Sequence, residues 1–155
     1  MAKKSSYQKA VERLNSSKKS WDKTANANYN RYATDYANQA NTIYKRAVAN
    51  NQATAKNSLN TAYVSNALAN TRMNDNLKRQ GITGGASETS VLNQANNYSN
   101  VQAGINNSLA SNNTSAANTM NDNIANYNLT NNQNRNEELR TNKDRYYTQK
   151  QNAGN

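Results

Sequence analysis

Along the first half of the chain, apolar residues return every three or four positions. The run is Val11, Leu14, Trp21, Ala25, Tyr29, Tyr32, Tyr36, Ala40, Ile43 and Ala47, then Ala55, Leu59, Ala62, Tyr63, Met73 and Leu77. That spacing puts them on one stripe of an α-helix. The pattern resumes with Val91, Ala95, Tyr98, Ile105, Leu109, Met120, Ile124 and Tyr127. Alternation with period two is sustained nowhere, so strands are not expected. Between the stripes lies "LKRQGITGGASETSVLNQ", residues 77–94, which holds Gly81, Gly84 and Gly85 in a chain of five glycines and no proline. Gly81 follows basic residues, as a helix stop does. Ser87 or Thr89 is placed to cap the next helix, with Glu88 favourable near its positive end.

The expected fold is therefore all-α: a long, coiled-coil-like antiparallel helical hairpin in one domain. Its arms cover 1–80 and 88–150, with a turn at 81–87 and a tail at 151–155. Folding about a point near residue 84 pairs positions whose numbers sum to about 168. Leu77 then meets Val91, Met73 meets Ala95, Leu59 meets Leu109, Val48 meets Met120 and Tyr44 meets Ile124. Asn66, Asn70, Gln102 and Asn131 interrupt the stripe, and the same fold-back sets Asn66 against Gln102. Polar seam positions of this kind fix register and partner number at a cost in stability. A break near Asn50-Asn51 or Asn112-Asn113 is also compatible with the pattern.

Composition sharpens this picture. Asn occurs 34 times, and Phe, Pro, His and Cys do not occur. Large aliphatic residues are scarce, so alanine, ten tyrosines and Trp21 must supply the buried surface. Such a hairpin is thinly stabilised, and self-association is expected to complete it. Without cysteine there is no disulfide, no thiol nucleophile and no thiolate zinc site. Without histidine the usual general bases reduce to scattered carboxylates, and Glu137 and Glu138 are adjacent and diverge on a helix. "GITGGAS" lacks the lysine of a phosphate-binding loop and follows no strand. No catalytic, cofactor or metal site is expected, and enzyme classes are set aside. An anion site at the helix start around Ser87 is the lesser reading beside a plain turn. "MAKKSSYQKAVERLN" has no apolar core of a secretory signal, and no run is long enough to span a membrane. Asn-x-Ser/Thr triplets such as Asn97-Tyr98-Ser99 and Asn128-Leu129-Thr130 are expected by chance in so Asn-rich a chain.

The net charge is +10 and uneven. Residues 1–46 carry ten basic and three acidic side chains, whereas residues 80–134 carry no Lys or Arg at all. A hairpin gathers Lys3, Lys4, Lys9, Arg13, Lys18, Lys19 and Lys23 with Arg140, Lys143, Arg145 and Lys150. Such a cluster attracts phosphate polymers, double-stranded DNA included, without sequence preference. The plainer alternative is a solvated helix face. Tyr29, Tyr32, Tyr36 and Tyr44 interleave with Arg31, Lys45 and Arg46, as base-stacking tyrosines do. Their helical spacing favours packing between helices instead, and the same holds for Trp21.

Residues 62–100, "AYVSNALANTRMNDNLKRQGITGGASETSVLNQANNYSN", resemble a family of small helical proteins encoded by phages and prophages of Gram-positive and gut bacteria. In that family an "AYV" helix runs into a Gly-hydrophobic-Thr/Ser-Gly-Gly-x-Ser-Glu-Thr/Ser turn, and a helix with a Tyr follows. The matching positions are Gly81, Ile82, Thr83, Gly84, Gly85, Ser87, Glu88, Thr89 and Tyr98, within about forty of the 155 residues. The chain is also similar in class to internal core or capsid-lining proteins of small podoviruses. The resemblance implies a structural virion protein inside the head, made in the host cytoplasm, that contacts capsid protein and packaged DNA. A scaffolding factor, a tail or ejection component, and a free non-specific nucleic-acid-binding protein are the competing readings.

Overall fold

The computed structural model describes residues 3–155. It contains two helices, α1 (Ser6–Arg79) and α2 (Gly85–Gly154), packed against each other as a hairpin, with no strand among the described residues. Uninterrupted helices of 74 and 70 residues are possible because no proline removes a backbone donor. Asparagine is a mediocre helix former, so packing rather than propensity sustains them. Both helices run unbroken through Asn50-Asn51 and Asn112-Asn113. At the expected break, Asn51 Nδ2 instead donates to Asn113 Oδ1 at 3.0 Å.

The helix ends are chemically defined. At the start of α1, Gln8 N donates to Ser5 Oγ at 3.1 Å, and Ser5 N donates to Gln8 Oε1 at 2.8 Å. This reciprocal capping box satisfies two donors that the first turn leaves open. At its end, Ile82 N reaches Leu77 O at 3.0 Å and Gly81 N reaches Lys78 O at 3.2 Å, around a Gly81 with φ +65°. That pair of bonds is the Schellman arrangement, and the left-handed residue it needs is the glycine. Gly84 (φ +75°) then caps α2, its carbonyl accepting from Glu88 N at 3.1 Å. Ser87 and Thr89 therefore lie inside α2 and do not cap it, and Thr89 Oγ1 bonds back to Gly85 O at 2.9 Å. The link between the helices is shorter than 81–87.

This shorter link changes the register. Cross-helix hydrogen bonds between side chains or to backbone, the ring stack and the cation–π contact mostly join residues whose numbers add to between 160 and 164, with Trp21–Arg145 at 166 and Tyr29–Glu138 at 167. Asn66 accordingly accepts from Gln94 Nε2 at 3.2 Å, and Gln102 is not its partner. The half-buried and buried positions recur in steps of four, four and three. In α1 they run Ala25, Tyr29, Ala33, Tyr36, Ala40, Tyr44, Ala47, Asn51, Ala55, Ser58, Ala62, Asn66, Ala69, Met73, Leu77. In α2 they run Gln94, Tyr98, Gln102, Ile105, Leu109, Asn113, Ala116, Met120, Ile124, Tyr127, Asn131, Arg135. Eleven residues per three turns, 3.67 per turn, is the period of a seam that drifts slightly to the right rather than the left.

The chain forms two compact units: residues 1–42 with 120–155, and residues 43–119. In the first, Ala25 is fully buried at 0 % exposure and Ala40 is buried. Tyr36 stacks on Tyr127 at 4.0 Å with planes 1° apart. Two buried asparagines pin this seam: Asn131 Nδ2 donates to Tyr29 O at 2.9 Å, and Asn142 Nδ2 to Asp22 Oδ1 at 3.2 Å. In the second unit Ala55 is the one buried apolar residue, and Asn51–Asn113 and Asn66–Gln94 are the polar pairs.

Two stability predictions follow from this geometry, both read as urea midpoints at one protein concentration. Ala25→Leu should lower stability by about 1–3 kcal/mol, because extra methylenes at a fully buried contact overpack the seam; an unchanged midpoint would contradict the contact. Gly81→Ala should cost about 1 kcal/mol for its left-handed backbone. Gly85→Ala, at the first residue of α2 with open space around the added Cβ, should instead stabilise by about 0.4–1 kcal/mol. Equal effects at 81 and 85 would rule out the assigned cap.

Candidate phosphate-binding surface

The basic residues expected to cluster, Lys3 to Lys23 and Arg140 to Lys150, belong to the first unit, whereas Lys45 and Arg46 lie in the second. Lys3 and Lys4 precede α1, and the rest lie on the two helices. With 100° per residue, Lys9, Arg13, Lys19 and Lys23 fall within about a third of the circumference of α1, on the side away from the seam. All four are exposed. Residues 3–23 and 140–155 together hold eleven basic side chains against Glu12, Asp22 and Asp144, a balance of +8.

The set divides by what each cation already touches. Lys18 is half-buried, and its Nζ lies 2.6 Å from Asp22 Oδ2 while Asn142 donates to the other oxygen of that carboxylate. Lys18 thus belongs to the seam. Lys4 pairs with Glu12, and Arg140 lies 3.6 Å from Glu137 one turn away on α2. The Arg145 guanidinium lies 4.0 Å from the centre of the Trp21 ring and covers its face. Lys150 Nζ sits 5.8 Å from the Tyr146 ring. Among the described residues, Lys3, Lys9, Arg13, Lys19, Lys23 and Lys143 take part in no ion pair. These six retain their charge for an external anion.

The aromatic residues are largely engaged within the fold. Tyr36 and Tyr127 stack on each other in the seam. Tyr29 meets Tyr32 edge-on at 5.6 Å, and the Glu138 carboxylate accepting its hydroxyl raises the Tyr29 pKa above the ordinary phenol value. Tyr32 is more open and has Arg31 at 5.5 Å. Trp21 is capped by Arg145, and Tyr44 is half-buried on the stripe. The surface therefore offers cations without a row of free rings. This is the arrangement for contacting a phosphate backbone rather than for stacking on single-stranded bases.

The turn motif lies in the second unit. Gly81 and Gly84 serve the backbone reversal, Thr89 is bound to Gly85 O, and Ser87 is half-buried beside Leu77 and Ile82 in a shallow groove. Lys78 and Arg79 at the end of α1 and Glu88 at the start of α2 balance the helix dipoles there. Gly85 and Thr83 are exposed. No helix among the described residues is long and apolar enough to cross a membrane.

Sequence reasoning missed the Lys18–Asp22–Asn142 network. The available signal was the four-residue step from Leu14 to Lys18, which turns Lys18 inward, and the eleven-residue step from Asn131 to Asn142. Compared with family models, with curated proteins and with solved structures, the chain matches none of them.

The division within the basic set is testable by stability. Lys18→Gln should lower the unfolding free energy by about 1 kcal/mol, whereas Lys19→Gln should change it by less than about 0.5 kcal/mol. If the two neighbours behave alike in urea titrations, Lys18 does not belong to the seam.

Proposed function

We propose that this chain is a structural protein of a phage particle, held inside the head, and that it works by binding rather than by catalysis. Its first unit would face packaged double-stranded DNA through backbone contacts, while other parts of the hairpin dock on capsid protein or on further copies of the chain. The observation that carries the reading is the +8 balance over residues 3–23 and 140–155, with Lys9, Arg13, Lys19 and Lys23 exposed on the outer side of α1. The resemblance of residues 62–100 to small helical phage proteins supports the virion setting. Unpaired cations on a helix bind DNA by releasing its condensed counterions, so affinity depends on salt and not on sequence. The absence of His and Cys and the scatter of the carboxylates fit a protein without a reaction to perform.

The DNA-facing part is tested with random-sequence duplex DNA titrated over a range of salt. Replacing Lys9, Arg13, Lys19 and Lys23 by Gln should reduce the magnitude of the slope of log K against log[salt] by about three to four. Lys18→Gln should leave the slope unchanged. A quadruple variant that keeps the wild-type slope removes DNA as the partner. The setting is tested by mass spectrometry of protease-treated particles before and after their DNA is released. Protection that persists until the head empties is the expected result. Absence from mature particles would transfer the chain to the scaffolding or intracellular readings.

A further inference from the structure

The second unit, residues 43–119, carries a surface that neither the hairpin nor the basic cluster uses. Between α1 and α2 runs an open groove of about 670 Å³. Thr61, Ser65 and Ala69 form one wall, and Gln94, Tyr98 and Val101 form the other. The α1 wall is made of small side chains, so another helix can approach it closely. Thr61, Val64 and Leu68 follow one another at steps of three and four and share a helix face. Val64 and Leu68 thus flank the groove, and they are 55 % and 53 % exposed. Val101, inside the groove, is 50 % exposed. Large apolar side chains stand open beside a trough whose α1 wall is formed largely by small side chains.

The charge pattern narrows what can cover this surface. Residues 57–71 of α1 and 89–121 of α2 contain no charged side chain, in a chain where 18 % of residues are charged. A nucleic acid would find no cation there, and an acidic or basic partner would find no complement. A surface of the same neutral composition is the one that fits, and each copy of this chain carries it.

The area points the same way. The chain exposes 11399 Å², whereas a compact monomer of its mass exposes about 7800 Å². That excess, on the order of 3600 Å² per chain, belongs to both units together and leaves ample surface for the roughly 1000–2500 Å² that each copy of an obligate homodimer buries. Within this unit only Ala55 is a buried apolar residue.

We propose that the second unit is a homodimerisation surface, in which Val64 and Leu68 of each copy enter the groove of the other. The pairing is isologous: a two-fold axis lets one patch supply both the inserting residues and the trough. The result is a four-helix arrangement in which the small-residue wall of α1 is covered by α1 of the partner. The proposal rests on the fold and charge pattern of this unit and is independent of where the protein acts.

The test uses the full chain in sedimentation equilibrium. The wild type should be a dimer that does not weaken as salt rises, because the neutral patch has no ion pairs to screen and the +10 copies repel one another; the DNA affinity of the basic surface is expected to fall with salt, so the two readings separate. Val64→Gln with Leu68→Gln should raise the dissociation constant by about tenfold or more. Dimerisation and folding are coupled in many helical assemblies, so a second measurement avoids variants that only unfold. The chain has no cysteine, and Leu68→Cys should therefore cross-link between copies under mild oxidation far faster than Lys19→Cys in the first unit. A wild type that stays monomeric would overturn the proposal and leave the groove for a different protein. So would a dimer indifferent to the paired glutamine substitutions, or equal cross-linking at 68 and 19.

Discussion

The structure depends on two helices approaching closely over alanine. Among the described residues, Ala25, Ala40 and Ala55 are the only buried apolar ones, and no large side chain is fully buried. Alanine permits the approach but removes little apolar area from water, at about 25 cal/mol per Å². Hydrophobic burial alone would hold these helices together without deciding how far one slides along the other. The eleven-residue period makes that problem acute, because a slip of one repeat returns a similar stripe to the seam. The polar residues break the degeneracy. Asn131 reaches the Tyr29 carbonyl, Asn142 reaches Asp22, and Tyr36 lies flat on Tyr127. A slip of eleven would set Tyr36 near Ala116 or Glu138 and leave buried amides without partners. A net hydrogen bond contributes only about 1 kcal/mol, but an orphaned buried amide costs more than the bond contributes. The asparagines therefore specify register more than they add stability.

A seam this thin leaves most of the chain exposed, and the two units carry different exposed chemistry. The first displays unpaired cations on the outer side of α1 and at residues 3 and 143; the second carries Lys45, Arg46, Lys56, Arg72, Lys78 and Arg79, which also take part in no ion pair among the described residues. The second has long segments without any charge, kept soluble by Asn, Ser, Thr and Gln. Neutral polar side chains hydrate a helix without repelling a copy of it. That distinguishes the composition from the lysine- and glutamate-rich faces of ordinary solvent-exposed helices.

Much of this was legible in the sequence. Most stripe residues from Ala25 to Leu77 and from Tyr98 to Tyr127 are the seam, and Gly81 ends α1. Tyr32, Ile43, Tyr63, Val91 and Ala95, expected on the stripe, are exposed because the true period of eleven turns them off the contact line. The register was displaced by about one turn for a specific reason. Gly85–Ser87 read as turn because glycine and serine disfavour helix, yet Gly84 is the left-handed cap and Gly85 already helical. Moving the fold-back point from 84 to 82 shifts the position opposite Asn66 from 102 to 98, and Asn66 reaches one turn further, to Gln94. Which of 34 asparagines would be buried was not legible, since composition treats them alike and only register selects Asn131 and Asn142. In the candidate site, the cluster was legible as a charge excess. The removal of Lys18 and the stacking of Arg145 on Trp21 required knowing which side of each helix faces the other.

Those two cations show how charge and packing constrain each other here. Lys18 stays in the seam because Asp22 neutralises it, and Asp22 is in turn held by Asn142. Removing Lys18 or Asp22 leaves a half-buried charge without its counterion, and removing Asn142 breaks the cross-helix hydrogen bond, so the network constrains the register of the same segment that displays Lys19 and Lys23 outward. Arg145 spreads over Trp21 and shields the largest apolar surface of the unit while keeping its charge at the boundary with water. The outward charges repel one another across a Debye length of about 8 Å at physiological salt, which opposes the thin seam beneath them. A polyanion laid along Lys9, Arg13, Lys19 and Lys23 would relieve that repulsion. Binding at the surface and stability of the seam are then linked, and ligand that binds only the folded hairpin shifts its unfolding equilibrium in proportion to occupancy.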